Sequence, residues 1–382
     1  MFLVAIILGL VTIFIAFFIV FNTLRIQKLK IKVDSTKNDK IKALNDWLKS
    51  IHKKDKFNGV VLLSKQGKII FSKAYGNDNI NSKNLLTEHS SFNLASVSKQ
   101  FTATGIMILK TQSKLNYSDK ISNYLPELNY YETITIEQLL HHTSGLPDYM
   151  ELAQKYNKDH NLFTVEKMLF IYNKYKPTLN FEAGSKFQYS NTGYILLAEI
   201  IARVSGVSFY EFMSSNIFKP LKMNNSQIFN LLSKQEPKNR VYGYKYKYWL
   251  FGKKKIPQDL NYFDGVVGDG GIYSSAYDLY LWHKALIEGT LISNDEYNKA
   301  YVPAILNNGE KTKYGYGWFI NSDDSVEHAG GWQGFSSYIY RDIKNDELIV
   351  ILDNSSNKLR VTSMGFRFNS IALNLKMFIN SL

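Results

Sequence analysis

The chain has 382 residues, 45% hydrophobic and 14% aromatic, with a formal charge of +13. That is ample apolar content for one large core or two packed subdomains. It contains no Cys, which excludes a thiol nucleophile and disulfides without fixing the compartment.

Phe2 to Phe21 carries no charge and is dominated by Ile, Phe, Leu and Val. The run is long enough to cross a bilayer as a helix. A core helix would show a polar stripe, which is missing here. A cleaved signal peptide would have a shorter apolar core followed by a small-x-small site. Residues 1–24 are therefore expected to be a transmembrane anchor, making the chain a single-pass cell-membrane protein with the lipid bilayer as a partner. Residues 25–56 follow as a basic juxtamembrane stalk. They hold eleven Lys or Arg against four Asp, so seven of the chain's thirteen excess positive charges lie there. Anionic headgroups account for that excess. No base-reading motif is interleaved with it, and nucleic acid is not expected as a partner. Ile41 to Ile51 is expected to form a short amphipathic helix. No Lys or Arg precedes the apolar run, so the positive-inside tendency would put the downstream chain in the cytoplasm.

From Phe57 the pattern changes. Gly59 to Leu63 and Lys68 to Phe71 flank Lys65-Gln66-Gly67, which predicts a hairpin. A polar loop, Asn77 to Ser91, leads to FNLASVSKQFT, residues 92–102. Ser96-Val97-Ser98-Lys99 within it is an S-x-x-K, which puts Ser and Lys on one face of a helix, one turn apart. A serine hydroxyl is a poor nucleophile until a base takes its proton. A lysine serves as that base when burial among apolar groups loosens its own proton. Phe101 and Ile106 to Leu109 are such groups. The helix, expected to run to about Leu115, also favours negative charge near Ser96 at its N-terminus. The tetrapeptide alone is weak: Ser50-Ile51-His52-Lys53 matches it in a charged stretch.

Thr135 to Leu140 leads into His141-His142-Thr143-Ser144-Gly145-Leu146-Pro147-Asp148. The His pair lacks H-E-x-x-H spacing and a second ligand cluster, so structural histidines at a helix end are expected, and no metal. G-x-S-x-G is absent. Tyr149 to Lys176 has a helical period and is expected to form a cap beside the site. Phe181 to Tyr194 carries Tyr189-x-Asn191 where a loop turns into a helix; Tyr75-Gly76-Asn77 matches the same tripeptide. Tyr242 to Lys255 alternates aromatic and basic residues, as a hairpin with one wet face or a membrane-surface contact. Gly265 to Gly271 lacks the G-x-G-x-x-G spacing, so no nucleotide loop is expected, and no cofactor. Tyr277 to Leu286 reads as a helix. Gly317 to Ile320, Val326 to Gly331, Phe335 to Tyr340 and Leu348 to Leu352 predict successive antiparallel strands, with a turn at Lys344-Asn345-Asp346. Met364 to Ile379 closes the chain as an amphipathic helix. Strands at both ends with helices between predict an α+β fold. One antiparallel sheet is made from the N- and C-terminal parts, with flanking helices and a helical subdomain.

The ordered set Ser96-x-x-Lys99, Tyr189-x-Asn191 and His328-Ala329-Gly330 resembles the serine β-lactamase and penicillin-binding protein superfamily. It looks like the class C-like branch, with its D-Ala carboxypeptidases, D-aminopeptidases and esterases. Ser96 to Ala103, Leu139 to Leu146, Phe187 to Tyr194 and Gly268 to Ser275 look like that branch too. The resemblance spans residues 57–382 and implies a β-lactamase/transpeptidase-like domain. It implies Ser96 as the acylated nucleophile, with Lys99 and Tyr189 sharing its proton and Tyr189 helping deacylation. Asn191 would hold the substrate amide and orient Lys99. The N–H groups of Ser96 and Gly331 would form an oxyanion hole, one donor being worth about 3 kcal/mol. Gly330 and Gly331 would let substrate approach an edge strand. His328-Ala329-Gly330 departs from the Lys-Thr-Gly of β-lactamases. A lysine offers a fixed cation to a substrate carboxylate, whereas a histidine, at a reference pKa of about 6.5, is largely uncharged. The implied function is a serine hydrolase forming a Ser96 acyl-enzyme on a peptide, ester or lactam, with a small-molecule or cell-wall peptide or ester substrate favoured over an antibiotic. Such enzymes work outside the cytoplasmic membrane, which opposes the Lys/Arg bias. The alternative is a penicillin-binding or sensor-type protein with slow or absent turnover.

Overall fold

The structure, a computed structural model, describes residues 26–32, 34–249, 252–356 and 365–382. The expected anchor, residues 1–24, lies outside them. Its strands are β1 (Gly59–Lys65), β2 (Lys68–Tyr75), β3 (Phe92–Asn93), β4 (Gln227–Ile228), β5 (Tyr244–Trp249) and β6 (Gly252–Pro257). Then come β7 (Ile272–Ser274), β8 (Phe319–Ile320), β9 (Val326–Trp332), β10 (Phe335–Asp342), β11 (Glu347–Asp353) and β12 (Ser355–Ser356). The main sheet runs β2-β1-β11-β10-β9-β8, so the N-terminal hairpin pairs antiparallel with the C-terminal strands as expected. Val60 sits opposite Leu352 and Leu62 opposite Val350.

Both faces of this sheet are covered, which is why β1 and β11 read as unbroken apolar runs rather than alternating ones. Side chains still alternate along each strand. Val60, Leu62, Val350 and Leu352 enter the core shared with the helical subdomain. Val61, Leu63, Ile349 and Ile351 enter a second core on the opposite face. That second core is roofed by helices Lys37–Lys53 and Gly365–Ile379.

The helix expected over 41–51 thus extends to both sides, with the Thr36 hydroxyl accepting from the Asp39 N–H at its start. Its apolar stripe is buried: Leu44 and Leu48 are 0% exposed and Ile51 is 3% exposed. This corrects the picture of 25–56 as a solvated stalk. Burying each leucine contributes about 1.5–3 kcal/mol, while the lysines stay wet on the other side.

In the helical subdomain, the Ser96 segment opens as a 3-10 turn, Ala95–Ser98, and continues as helix Lys99–Thr111. Residues 149–176 form two helices, Tyr149–Tyr156 and Val165–Tyr175, with Thr164 capping the second. Hairpin β5–β6 forms as expected but pairs with β12 outside the main sheet.

Candidate active site

Ser91 to Leu109 is buried at every position but one, and that one is Ser96. The turn carrying it is held from several sides. Ala95 sits at φ +47, a left-handed conformation that costs a residue with a Cβ about 1–3 kcal/mol. The Asn93 side chain accepts from the Ala95 N–H at 2.8 Å. The Ile272 N–H of β7 donates to Ser98 Oγ at 3.2 Å, and Ser337 Oγ of β10 donates to the Leu94 carbonyl. The Ser96 hydroxyl is aimed by this scaffold.

Lys99 follows one turn later and is fully buried. Its Nζ donates to Ser96 Oγ at 3.3 Å, to Asn191 Oδ1 at 2.9 Å and to the Asp269 carbonyl at 2.7 Å. An ammonium has three donors, so this hub is saturated. Asn191 opens helix Asn191–Ser205. Its own N–H donates to Asp148 Oδ2 at 3.0 Å, while Asp148 Oδ1 accepts from Met150 N at 3.0 Å. One carboxylate therefore fixes two helix starts, where negative charge is favoured. Tyr189 lies beside them, its ring centre 5.0 Å from Lys99 Nζ. Its hydroxyl is buried without a hydrogen-bond partner among the described residues. The ring is wedged between His142, 4.3 Å away, and a parallel Phe319 at 6.2 Å.

Strand β9 closes the site. β8 pairs with it only at Val326 and Glu327, so the edge from His328 onward is left unpaired by any described strand. Gly331 and Ser96 line one cleft of about 240 Å³, together with Asn191, Tyr149, Met150 and Trp332. Gly330 faces inward: a Cβ there would lie 2.2 Å from the Leu94 carbonyl oxygen. Its absence lets β9 press against the Ser96 turn, which gives Gly330 a packing role.

His328 does not open on the cleft. It is 1% exposed, with Nδ1 bonded to the Ala329 carbonyl at 2.8 Å and Nε2 to the Tyr314 hydroxyl at 3.0 Å. A carbonyl only accepts, so Nδ1 carries the proton and Nε2 accepts from Tyr314. Burial, reinforced by the nearby Lys99 charge, pushes its pKa down to about 3. It is a neutral wall behind Tyr189, not the substrate-binding residue expected.

The set Ser96, Lys99, Tyr189 and Asn191 is thus assembled from two segments far apart in sequence, with Gly331 on the same cleft. The competing matches are elsewhere. Ser50 and Lys53 lie on the helix over the opposite sheet face, and the Tyr75 hydroxyl donates to Asn45. His141 bonds the Tyr314 carbonyl through Nδ1, and His142 Nδ1 accepts from Ser190 N, so His142 braces the Tyr189 loop and His141 the segment of Tyr314, whose ring lies 6.0 Å from that of Tyr189. Sequence reasoning left Asp148 and Asp269 without a role. Asp148 precedes a helical period, an N-cap signal. Asp269 lies in a glycine-rich stretch whose spacing excludes a nucleotide loop and whose resemblance to the class C-like branch assigns it no role.

A family model described as Beta-lactamase matches residues 44–368. The chain belongs to the β-lactamase family. It is a serine hydrolase of the β-lactamase-related type. A penicillin-binding protein of Bacillus subtilis is 36% identical over 328 residues, covering 83% of this chain and 72% of that one. The penicillin-binding protein of Bacillus halodurans superposes with a TM-score of 0.72 at 25% identity, over 86% of this chain and 99% of its own. The octameric penicillin-binding protein homologue from Pyrococcus abyssi gives a TM-score of 0.72 at 26% identity, over 88% of this chain and 77% of its own. The match begins at residue 44, inside helix Lys37–Lys53, in keeping with that helix being part of the β-lactamase-family domain.

Proposed function

We propose that this serine hydrolase forms an acyl-enzyme on Ser96 and acts on a peptide or ester of the cell wall rather than on antibiotics. The observation that carries the reading is Lys99 Nζ, buried, 3.3 Å from the Oγ of the one residue in its segment that reaches solvent. Ser96 Oγ attacks the substrate carbonyl carbon as its proton passes to the Tyr189 oxygen, which acts as a phenolate beside the Lys99 ammonium. The N–H groups of Ser96 and Gly331 receive the oxyanion. Tyr189 returns the proton to the leaving group as its bond to carbon breaks. Water then repeats the sequence, releasing the acid and restoring the serine. The unpartnered Tyr189 hydroxyl supports a place for it in this relay. The penicillin-binding names of the relatives support a serine that β-lactams acylate, while the neutral, enclosed His328 supports a site not built around a substrate carboxylate.

Turnover of p-nitrophenyl esters by the wild type and by Ser96→Ala tests this. The variant is expected to fall to the uncatalysed rate and to lose labelling by a fluorophosphonate. Turnover or labelling that survives the change contradicts it. We further propose that residues 1–24 anchor the chain in the cell membrane with the domain outside. Protease treatment of spheroplasts should then digest the domain, and protection would place it inside.

A further inference from the structure

We propose that the cleft beside Ser96 selects substrates bearing a free amine, with Asp264 receiving the ammonium between the rings of Phe263 and Trp332. The preferred substrates would be amino-acyl esters or amides whose amino group is unblocked. This rests on Ser96 being the nucleophile, since it names what that nucleophile is offered.

Three observations converge. First, no Lys or Arg lines the cleft among the described residues, whereas Asp264 and Asp269 both do. A substrate carboxylate would meet like charge there, and the nearby Lys99 ammonium already spends its three donors on Ser96, Asn191 and the Asp269 carbonyl. Second, the two aspartates differ. Asp269 feels the Lys99 charge, but the main influences on Asp264 include no cation. Asp264 accepts only from neutral N–H groups, Trp332 Nε1 at 2.7 Å and Asn261 N at 2.6 Å. Burial pushes its pKa up to about 7, the behaviour of a carboxylate lacking a counter-ion. Third, Tyr149, Phe263 and Trp332 line the same cleft edge to face, with Phe263 5.8 Å from Tyr149 and 6.4 Å from Trp332. Ring faces around a carboxylate are the surroundings that attract ammonium groups.

The test uses the full chain in detergent. Turnover of alanine methyl ester and N-acetylalanine methyl ester, both enantiomers, is compared in the wild type and Asp264→Asn. The wild type is expected to favour a free-amine ester by about tenfold or more in kcat/KM, as one charge-assisted hydrogen bond provides. Asp264→Asn should bring that ratio close to one. A structural lesion alone would slow both esters together and leave the ratio intact. Binding is read separately in Ser96→Ala by titrating alaninamide and N-acetylalaninamide against tryptophan fluorescence. Alaninamide is expected to bind more tightly, and the added Asp264→Asn change should abolish the difference. Equal wild-type preference, an unchanged ratio in Asp264→Asn, or equal binding of the two amides overturns the inference. Ser96-dependent turnover of either ester would leave the acyl-enzyme reading in place.

Discussion

At the scale of single residues, the site depends on groups pressed closer than side chains normally allow. Gly330 is the sharpest case, because the Leu94 carbonyl oxygen 2.2 Å from its absent Cβ belongs to the backbone leading into the Ser96 turn and cannot swing away. Gly330→Ala should cost about 1–3 kcal/mol through overpacking. It should also lower ester turnover as β9 moves off Ser96. Thermal unfolding and kinetics on the same preparation check this, and wild-type values for both would contradict it. That Ser96 and Lys99, and Tyr189 and Asn191, belong together is legible because each pair lies within one short motif; the structure brings the two pairs side by side. Gly330 was legible as a glycine needed for close approach, but the partner of that approach was not. Asp148, Asp264 and Asp269 were not legible as site residues: their meaning comes from what the fold brings to them, and local spacing carries none of it.

At the scale of elements, helix Lys37–Lys53 shows how charge can mask a core contact. Eight of its seventeen positions are Lys, Asp or His, so the segment reads as solvated. Leu44, Leu48 and Ile51 nevertheless fall at i, i+4 and i+7, one face of a helix, and that face meets the sheet. Leu48→Ala should cost about 2–5 kcal/mol in urea unfolding, as buried leucine truncations do. A loss under about 0.5 kcal/mol would be that of a surface site and would return the segment to a stalk. The strands read more truly, because β1, β10 and β11 combine β-branched or aromatic runs with clear turns. The break between helices Tyr149–Tyr156 and Val165–Tyr175 was hidden in a continuous helical period, although Thr164 offered a cap.

At the scale of the whole molecule, buried histidines tie stability to pH. His328 and His283 are pushed down to about 3 and about 4, in both cases mainly by burial, and His142 is also well below its ordinary value. Above pH ~6.5 both the folded and unfolded forms leave these rings neutral. As pH falls below that, the unfolded chain takes up protons that the folded chain refuses, so stability is lost down to the folded values. Asp264 and Asp269, raised to about 7 and about 6, act oppositely, losing stability as pH rises through that range. A difference measurement separates the two. Between pH 6 and 4, the stability of the wild type minus that of His328→Gln should fall by up to about 1.4 kcal/mol per pH unit. A flat difference would mean that His328 is not held neutral.

The most direct test of the acyl-enzyme is rapid-quench intact mass spectrometry of the full chain with a fluorescent penicillin and, separately, with p-nitrophenyl acetate, followed by peptide mapping. A single adduct on Ser96, lost in Lys99→Met, is expected. An adduct on any other residue, or none with either reagent, would contradict the assignment of Ser96 and Lys99 as the reacting pair.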